Sequence, residues 1–258
     1  MWFVLALVGF IVGQVVAAIA VVVAAGVAGK GQDLSAIAKE AVPPEWYVVA
    51  SLVGLWVGFF GGPWLASRLK GTKSLIADMG IRFKWVDLTG IAIGYGGQLL
   101  VALVYLPFRN HLHHFNAPTQ KLTGGAHGTG FLVIAILTVV GAPFMEELFF
   151  RGLLFRSLLK MFSPRGAGPS GVSGPSGVSG PATRRASGVA AAAAVVVDGL
   201  LFGLAHAELL QLAGLALFGM VLAFISLRTG RLGMNMVAHA SFNLVAIIAV
   251  AQTQGLVH

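Results

Sequence analysis

GAPFMEELFFRGLLF, residues 141–155, decides how this chain is to be read. Glu146, Glu147 and Arg151 stand inside a run otherwise as apolar as a bilayer. Residues four apart share one face of a helix, so Glu147 and Arg151 can form an ion pair. Glu146 points about 100° away from Glu147 and reaches Arg151 less easily. One glutamate is then neutralised and the other left free to act. The competing explanation is that both acids cap a helix that starts after Ala142-Pro143, where the helix dipole favours negative charge.

The rest of the sequence makes such charges costly. Of 258 residues, 57% are hydrophobic and only 10% charged, against about 25% charged in ordinary soluble domains. The chain reads as a multi-pass integral protein of the cell membrane. Its formal charge of +8 comes from 17 Lys and Arg scattered between apolar runs. That pattern argues against nucleic acid as a partner and assigns the cations to topology and to the headgroups of membrane lipids. With no cysteine in the chain, disulfides, thiolate metal sites and a cysteine nucleophile are excluded. The first 29 residues lack a basic leader and run too long for a signal peptide, and read as a retained first span.

Crossing about 30 Å of hydrocarbon takes about 20 apolar residues in a helix. Runs of this kind cover 2–28, 46–68, 86–108, 128–142, 143–162, 188–207, 209–227 and 232–252. The expected fold is all-α, a polytopic membrane helical bundle of about eight transmembrane helices, because lipid forbids open sheet edges. Only Gly141, Ala142 and Pro143 separate the fourth and fifth runs, so Pro143 marks either a tight turn or a kink in one long helix. Residues 163–187 repeat the hexapeptide PSGVSG at 169–174 and 175–180 and read as a flexible Gly/Pro/Ser-rich loop. On the eight-span count, Lys30, Lys39, Arg109, Lys121, Lys160, Arg165, Arg184, Arg185, Arg228 and Arg231 lie on one side, against Arg68, Lys70, Lys73, Arg82 and Lys84. The positive-inside rule then leans towards the first set as cytoplasmic.

A charge at mid-bilayer costs at least about 2.5–3.5 kcal/mol, so each one needs a partner or a purpose. Besides the glutamates, Asp198, Phe202 and His206 form an i, i+4, i+8 stripe, and His239 and Asn243 are again four apart. Taken singly, the histidines read as interfacial or packing residues, and a buried His–Asn pair can glue helices together. By span depth, Glu146, His206, His239 and Asn243 can meet between the midplane and one face. Three helices supplying these groups at compatible depths suit an enclosed hydrolytic site. There a partly desolvated Glu146 would be a general base and later acid, His206 would orient the water, and His239 with Asn243 would donate to an oxyanion. Glu146, His206 and His239 also have the donor types of a Zn²⁺ site with an open position. No HExxH helix is present, which excludes a standard zincin.

At these residues the chain resembles the CPBP intramembrane proteases, the CAAX protease, bacteriocin-processing and Abi family. The family motifs EExxxR, FxxxH and HxxxN stand here as Glu146-Glu147 with Arg151, Phe202 with His206, and His239 with Asn243. TGRL at 229–232 and DMGIRFKWVD at 78–87 extend the likeness. The resemblance implies a protease core over 128–250, preceded by variable helices over 1–127. It also implies peptide-bond hydrolysis in the membrane, on a membrane-associated peptide or protein substrate. By carry-over Glu146 and His206 activate water, His239 and Asn243 form the oxyanion hole, and both zinc-dependent and zinc-free schemes remain open. Glu147, Arg151 and Phe202 would support the site. Asp198, an extra acid on the His206 stripe, would either orient that imidazole or pack against a hydroxyl of a neighbouring helix.

Two other function classes compete: a non-catalytic immunity or scaffold protein of the same fold, and a proton-coupled transporter. A scaffold need not keep all four polar groups, and the inverted repeat expected of many transporters is not evident between the halves. HLHHF at 111–115 offers His111, His113 and His114 for a metal, or simply a loop at the membrane surface. Gly90-xxx-Gly94 has the spacing for close helix packing.

Overall fold

Every regular element among the described residues is helical. The computed structural model describes residues 1–29, 43–108, 128–163 and 188–253, with Leu34, Ile37 and Ala126. The repeats over 164–187 and the histidines of HLHHF lie outside the described residues. In chain order the helices are α1 Trp2–Val27, α2 Glu45–Lys70, the short α3 Leu75–Met79, α4 Gly90–Tyr105, α5 Gly128–Phe162, α6 Gly188–Ala205, α7 Leu212–Thr229 and α8 Gly233–Thr253. A 3₁₀ turn, Trp85–Thr89, leads into α4. Among the described residues seven helices, all but α3, are long and apolar enough to cross a membrane. Their outward faces carry exposed residues such as Ile11, Val15, Ile19 and Leu103, as expected where the solvent is lipid. The chain is a multi-pass integral membrane protein with an all-α fold.

The fourth and fifth expected spans are one helix of 35 residues. Pro143 does not break it, because the preceding turn, Leu137–Gly141, is π-helical and Ala142 N–H donates to Leu137 O five residues back. A second π-helical stretch covers Leu148–Phe155. Such widened turns are rare and gather at functional sites. Since no helix begins at Ala142-Pro143, the capping explanation fails, and Glu146 and Glu147 stand in mid-helix.

Merging two spans reverses the side given to every later connection. Arg156 near the end of α5 donates to Asp78 O at 3.2 Å and Gly230 O at 2.9 Å. Leu232 N–H donates to Gly80 O at 2.9 Å, and Arg231 pairs with Asp87. Lys160 stands 3.6 Å from the ring centre of Trp2. The last residues of α2, α5 and α7 therefore share one end of the bundle with the first residues of α1, α4 and α8. That end gathers Arg68, Lys70, Lys73, Arg82, Lys84, Arg156, Lys160, Arg228 and Arg231. The side assignment drawn from separate fourth and fifth spans, which parted Lys160, Arg228 and Arg231 from Arg68 to Lys84, is corrected.

Helix α5 runs through the middle, touching α1, α2, α6, α7 and α8. A chain of rings crosses it: Phe59 stacks on Phe149 at 4.4 Å, and Phe149–Phe150 and Phe150–Phe202 meet edge to face at 5.2 Å each. Behind the site, α4 lies against α8 through the expected glycines. A Cβ on Gly90 would stand 2.7 Å from Met234 O and 2.8 Å from Ala238 N. Gly94 is buried against Ala238 and Ser241. This close approach seats the first turns of α8, and hence His239.

Candidate active site

Glu147 is fully buried and fully engaged. Its Oε1 accepts from Arg151 Nη1 at 3.0 Å and from His239 Nδ1 at 2.9 Å, and Asn235 Nδ2 lies 3.3 Å from Oε2. Arg151, also fully buried, donates from Nη2 to Gly219 O at 2.9 Å, and its Nε lies 3.4 Å from Asp198 Oδ2. A buried charge is tolerated only when paired and hydrogen-bonded. The guanidinium is hydrogen-bonded to Glu147 of α5 and Gly219 O of α7, and pairs by charge, without a hydrogen bond, with Asp198 of α6.

Asp198 takes neither of its expected roles. It is buried beside Arg151, not on His206 and not against a hydroxyl. Eight residues of helix place it about 12 Å along α6 from His206, too far to orient that ring. Phe202, midway between them, fills the space. Its fully buried ring meets His206 at 4.8 Å, His239 at 5.5 Å and the Arg151 guanidinium at 4.4 Å. It separates the arginine cluster from the open part of the site.

That open part is built on Glu146. Its Oε2 is buried without a hydrogen-bond donor, and lies 3.8 Å from Nε2 of His206 and 3.8 Å from Nε2 of His239. His206 sits in the turn just past α6, where Nδ1 meets Phe202 O at 2.8 Å. A carbonyl only accepts, so Nδ1 carries the hydrogen and Nε2 presents its lone pair. His239 is held likewise: Nδ1 donates to Glu147, leaving Nε2 towards Glu146. The side chains of Glu146 and His206 are 15% and 31% exposed, so the cleft opens on their side.

Asn243, one turn along α8 from His239, donates from Nδ2 to Thr138 O at 2.8 Å. One carboxamide hydrogen is committed there and the second remains for another acceptor. Asn235 is a site residue that sequence reasoning missed. Fully buried, its Nδ2 donates to Leu222 O at 2.7 Å and lies near Ser226 Oγ and Glu147. The signal for it is the i, i+4, i+8 row Asn235, His239, Asn243, which lines one face of α8 with polar groups.

Residues 128–245, which hold Glu146, His206, His239 and Asn243, match a family model described as type II CAAX prenyl endopeptidase Rce1-like. The match is to the CPBP/CAAX protease family. It supports a membrane endopeptidase of the CAAX kind. No curated protein and no solved structure matches the chain. Glu146, His206 and His239 have donors of the types zinc accepts. Among the described residues, however, no three His, Asp or Glu side chains gather closely enough to hold a metal ion. Two tetrahedral zinc ligands at about 2.1 Å stand about 3.4 Å apart, closer than the 3.8 Å from Glu146 to either imidazole. The donor set does not fit a metal in this arrangement.

Proposed function

We propose that this protein is an intramembrane endopeptidase that hydrolyses a peptide bond of a membrane-bound or membrane-presented substrate with water activated by Glu146. The reading rests on Glu146 Oε2, unpartnered and equidistant at 3.8 Å from two imidazole Nε2 atoms. Three acceptors turned on one point want a donor between them, and polar contacts beyond 3.5 Å are commonly bridged by water. A water there gives one proton to Glu146 and is oriented by His206, which leaves its oxygen lone pair for a carbonyl carbon.

In the first step the water O–H bond breaks, its proton passes to Glu146, and the oxygen bonds to the scissile carbon. The carbonyl oxygen becomes an oxyanion facing the second Nδ2 hydrogen of Asn243. His239, whose Nδ1 hydrogen is committed to Glu147, can join as a second oxyanion donor only through a hydrogen on Nε2. In the second step Glu146 returns the proton to the amine nitrogen as the C–N bond breaks. Glu147, Arg151, Asp198 and Asn235 hold His239 in place and do not touch the substrate. The positive-inside rule makes the basic end, where α8 begins, the cytoplasmic end.

The test is cleavage of a library of membrane-anchored peptides, prenylated and unprenylated, by the purified full-length protein in detergent. Glu146→Gln and His206→Ala are each expected to abolish cleavage, and a chelator to leave it within about twofold. Cleavage untouched by both substitutions sinks the catalytic assignment, and loss with chelator that zinc restores sinks the metal-free form. Wild-type protein that binds peptides without cutting them returns the chain to a scaffold role.

A further inference from the structure

Asn243 is held by a backbone carbonyl that an ordinary α-helix would not offer. Its Nδ2 donates to Thr138 O, 105 positions away in the chain and in the middle of α5. A mid-helix carbonyl usually accepts from an N–H of its own helix. Over Leu137–Gly141 the register is five instead of four, and Ala142 N–H donates to Leu137 O. The next donor in that register, which would serve Thr138 O, belongs to residue 143. Residue 143 is proline and has no N–H. The carbonyl is orphaned by sequence, and a buried orphan carbonyl is costly unless something else donates to it.

We propose that Pro143 is a positioning residue for Asn243: by withholding its N–H it leaves Thr138 O to fix the Asn243 carboxamide. With one Nδ2 hydrogen anchored, the planar amide can turn neither its second hydrogen nor its oxygen freely, so the oxyanion donor is set before substrate arrives. Pre-set donors are worth more than mobile ones because no reorganisation accompanies the reaction. The same proline stands three residues before Glu146, so one backbone irregularity places both the base's helix and the oxyanion donor. The catalytic part of this inference rests on the endopeptidase reading, while the hydrogen-bond relay itself does not.

The experiment compares full-length wild type, Pro143→Ala, Asn243→Ala and the double variant, by thermal unfolding in detergent and by kcat and KM. Alanine restores the missing N–H, so Thr138 O is satisfied within α5 and Asn243 is released. Asn243→Ala is then expected to lower Tm less in the Pro143→Ala background than in wild type. Equal losses in the two backgrounds overturn the relay, whether or not any peptide is cut. On a peptide whose cleavage requires Glu146, Pro143→Ala is expected to lower kcat by about ten- to a hundredfold, with KM within about twofold. Adding Asn243→Ala should then cost far less than it does alone. An unchanged kcat, or two losses that simply multiply, overturns the positioning role while leaving the endopeptidase reading intact. Cleavage unaffected by Glu146→Gln removes that reading and leaves the Tm cycle to decide the relay. Pro143→Val, which has an N–H and more volume, repeats the comparison if alanine leaves a void.

Discussion

His239 Nδ1 donates to Glu147 Oε1 across 2.9 Å, while Nε2 of the same ring faces Glu146 Oε2 at 3.8 Å. One imidazole thus distinguishes two glutamates that are neighbours in the chain. Glu147 holds the ring, and Glu146 shares the space in front of it. The two are therefore expected to fail differently. Glu146→Gln removes the proposed base but breaks no hydrogen bond, so cleavage should fall by about 10²–10⁴ with Tm unchanged. Glu147→Ala leaves Arg151 and His239 without their carboxylate, at a cost of about 3–5 kcal/mol in stability. Unfolding and cleavage measured on both variants check the split. A large Tm loss in Glu146→Gln would contradict an unpartnered carboxylate.

Arg151 depends on the shape of its side chain as well as its charge. Its Nη1, Nη2 and Nε meet Glu147, Gly219 O and Asp198 in three directions, which a planar guanidinium can reach and a single ammonium cannot. Arg151→Lys keeps the charge but cannot serve all three partners. The expected loss is about 1–3 kcal/mol of stability for each buried acceptor left unsatisfied. Cleavage should fall too, as Glu147 loses its hold on His239. A lysine variant with wild-type Tm would mean that the buried carboxylates need only the charge.

What the sequence makes legible here is local. The Glu147–Arg151 pair follows from helical spacing alone; the meeting of Glu146 with His206 and His239 is expected from span depth, but on a count that starts a span just before Glu146, whereas Glu146 stands in mid-helix. The Asp198–Arg151 contact is not legible, because it depends on how α6 docks against α5, and the stripe with His206 points to the wrong partner. The continuity of α5 is hidden for another reason: proline reads as a break, and nothing in local propensity marks a register of five that tolerates it. Asn235 escapes notice because a polar residue near the start of a span reads as interfacial. The two stretches that carry resemblance outside the three motifs, 78–87 and 229–232, turn out to touch. Arg231 binds Asp87, and Leu232 N–H donates to Gly80 O.

The basic end of the bundle carries a pH dependence of its own. Asp78, outside the spanning segments, accepts from Ser67 Oγ at 2.5 Å and from Thr72 N and Oγ1 at 3.0 and 2.9 Å. Burial pushes its carboxyl up, but these donors and nearby Lys160 outweigh it and hold the carboxyl below the ordinary 3.8. The ionised form is thus favoured in the folded state. The resulting stabilisation is fully present above the unfolded value and is lost as pH falls through the folded one. Thermal unfolding of wild type and Asp78→Asn should differ by a constant amount between pH 7 and about 5, and converge below about pH 4. A gap that widens as pH falls would show that the carboxyl is instead pushed up.

Gly219 tests whether the arginine cluster governs the site through its backbone. A Cβ there would stand 3.0 Å from both Gly199 Cα and Phe202 Cδ1, where α7 lies against α6. Gly219→Ala must therefore push the two helices apart or tilt the Phe202 ring, at a cost of about 1–3 kcal/mol typical of overpacking. Either movement reaches the chemistry, because Gly219 O accepts from Arg151 and Phe202 contacts both histidines. The expected result is a lowered kcat alongside the lowered Tm. A second variant, Gly214→Ala, separates the two effects: there the added Cβ meets Val101 Cγ1 at 2.9 Å and Tyr105 on α4, away from Arg151 and Phe202. It should lower Tm with kcat unchanged. If both alanines depress kcat in proportion to Tm, the loss reports general loosening of the bundle, and Gly219 has no particular hold on the histidines.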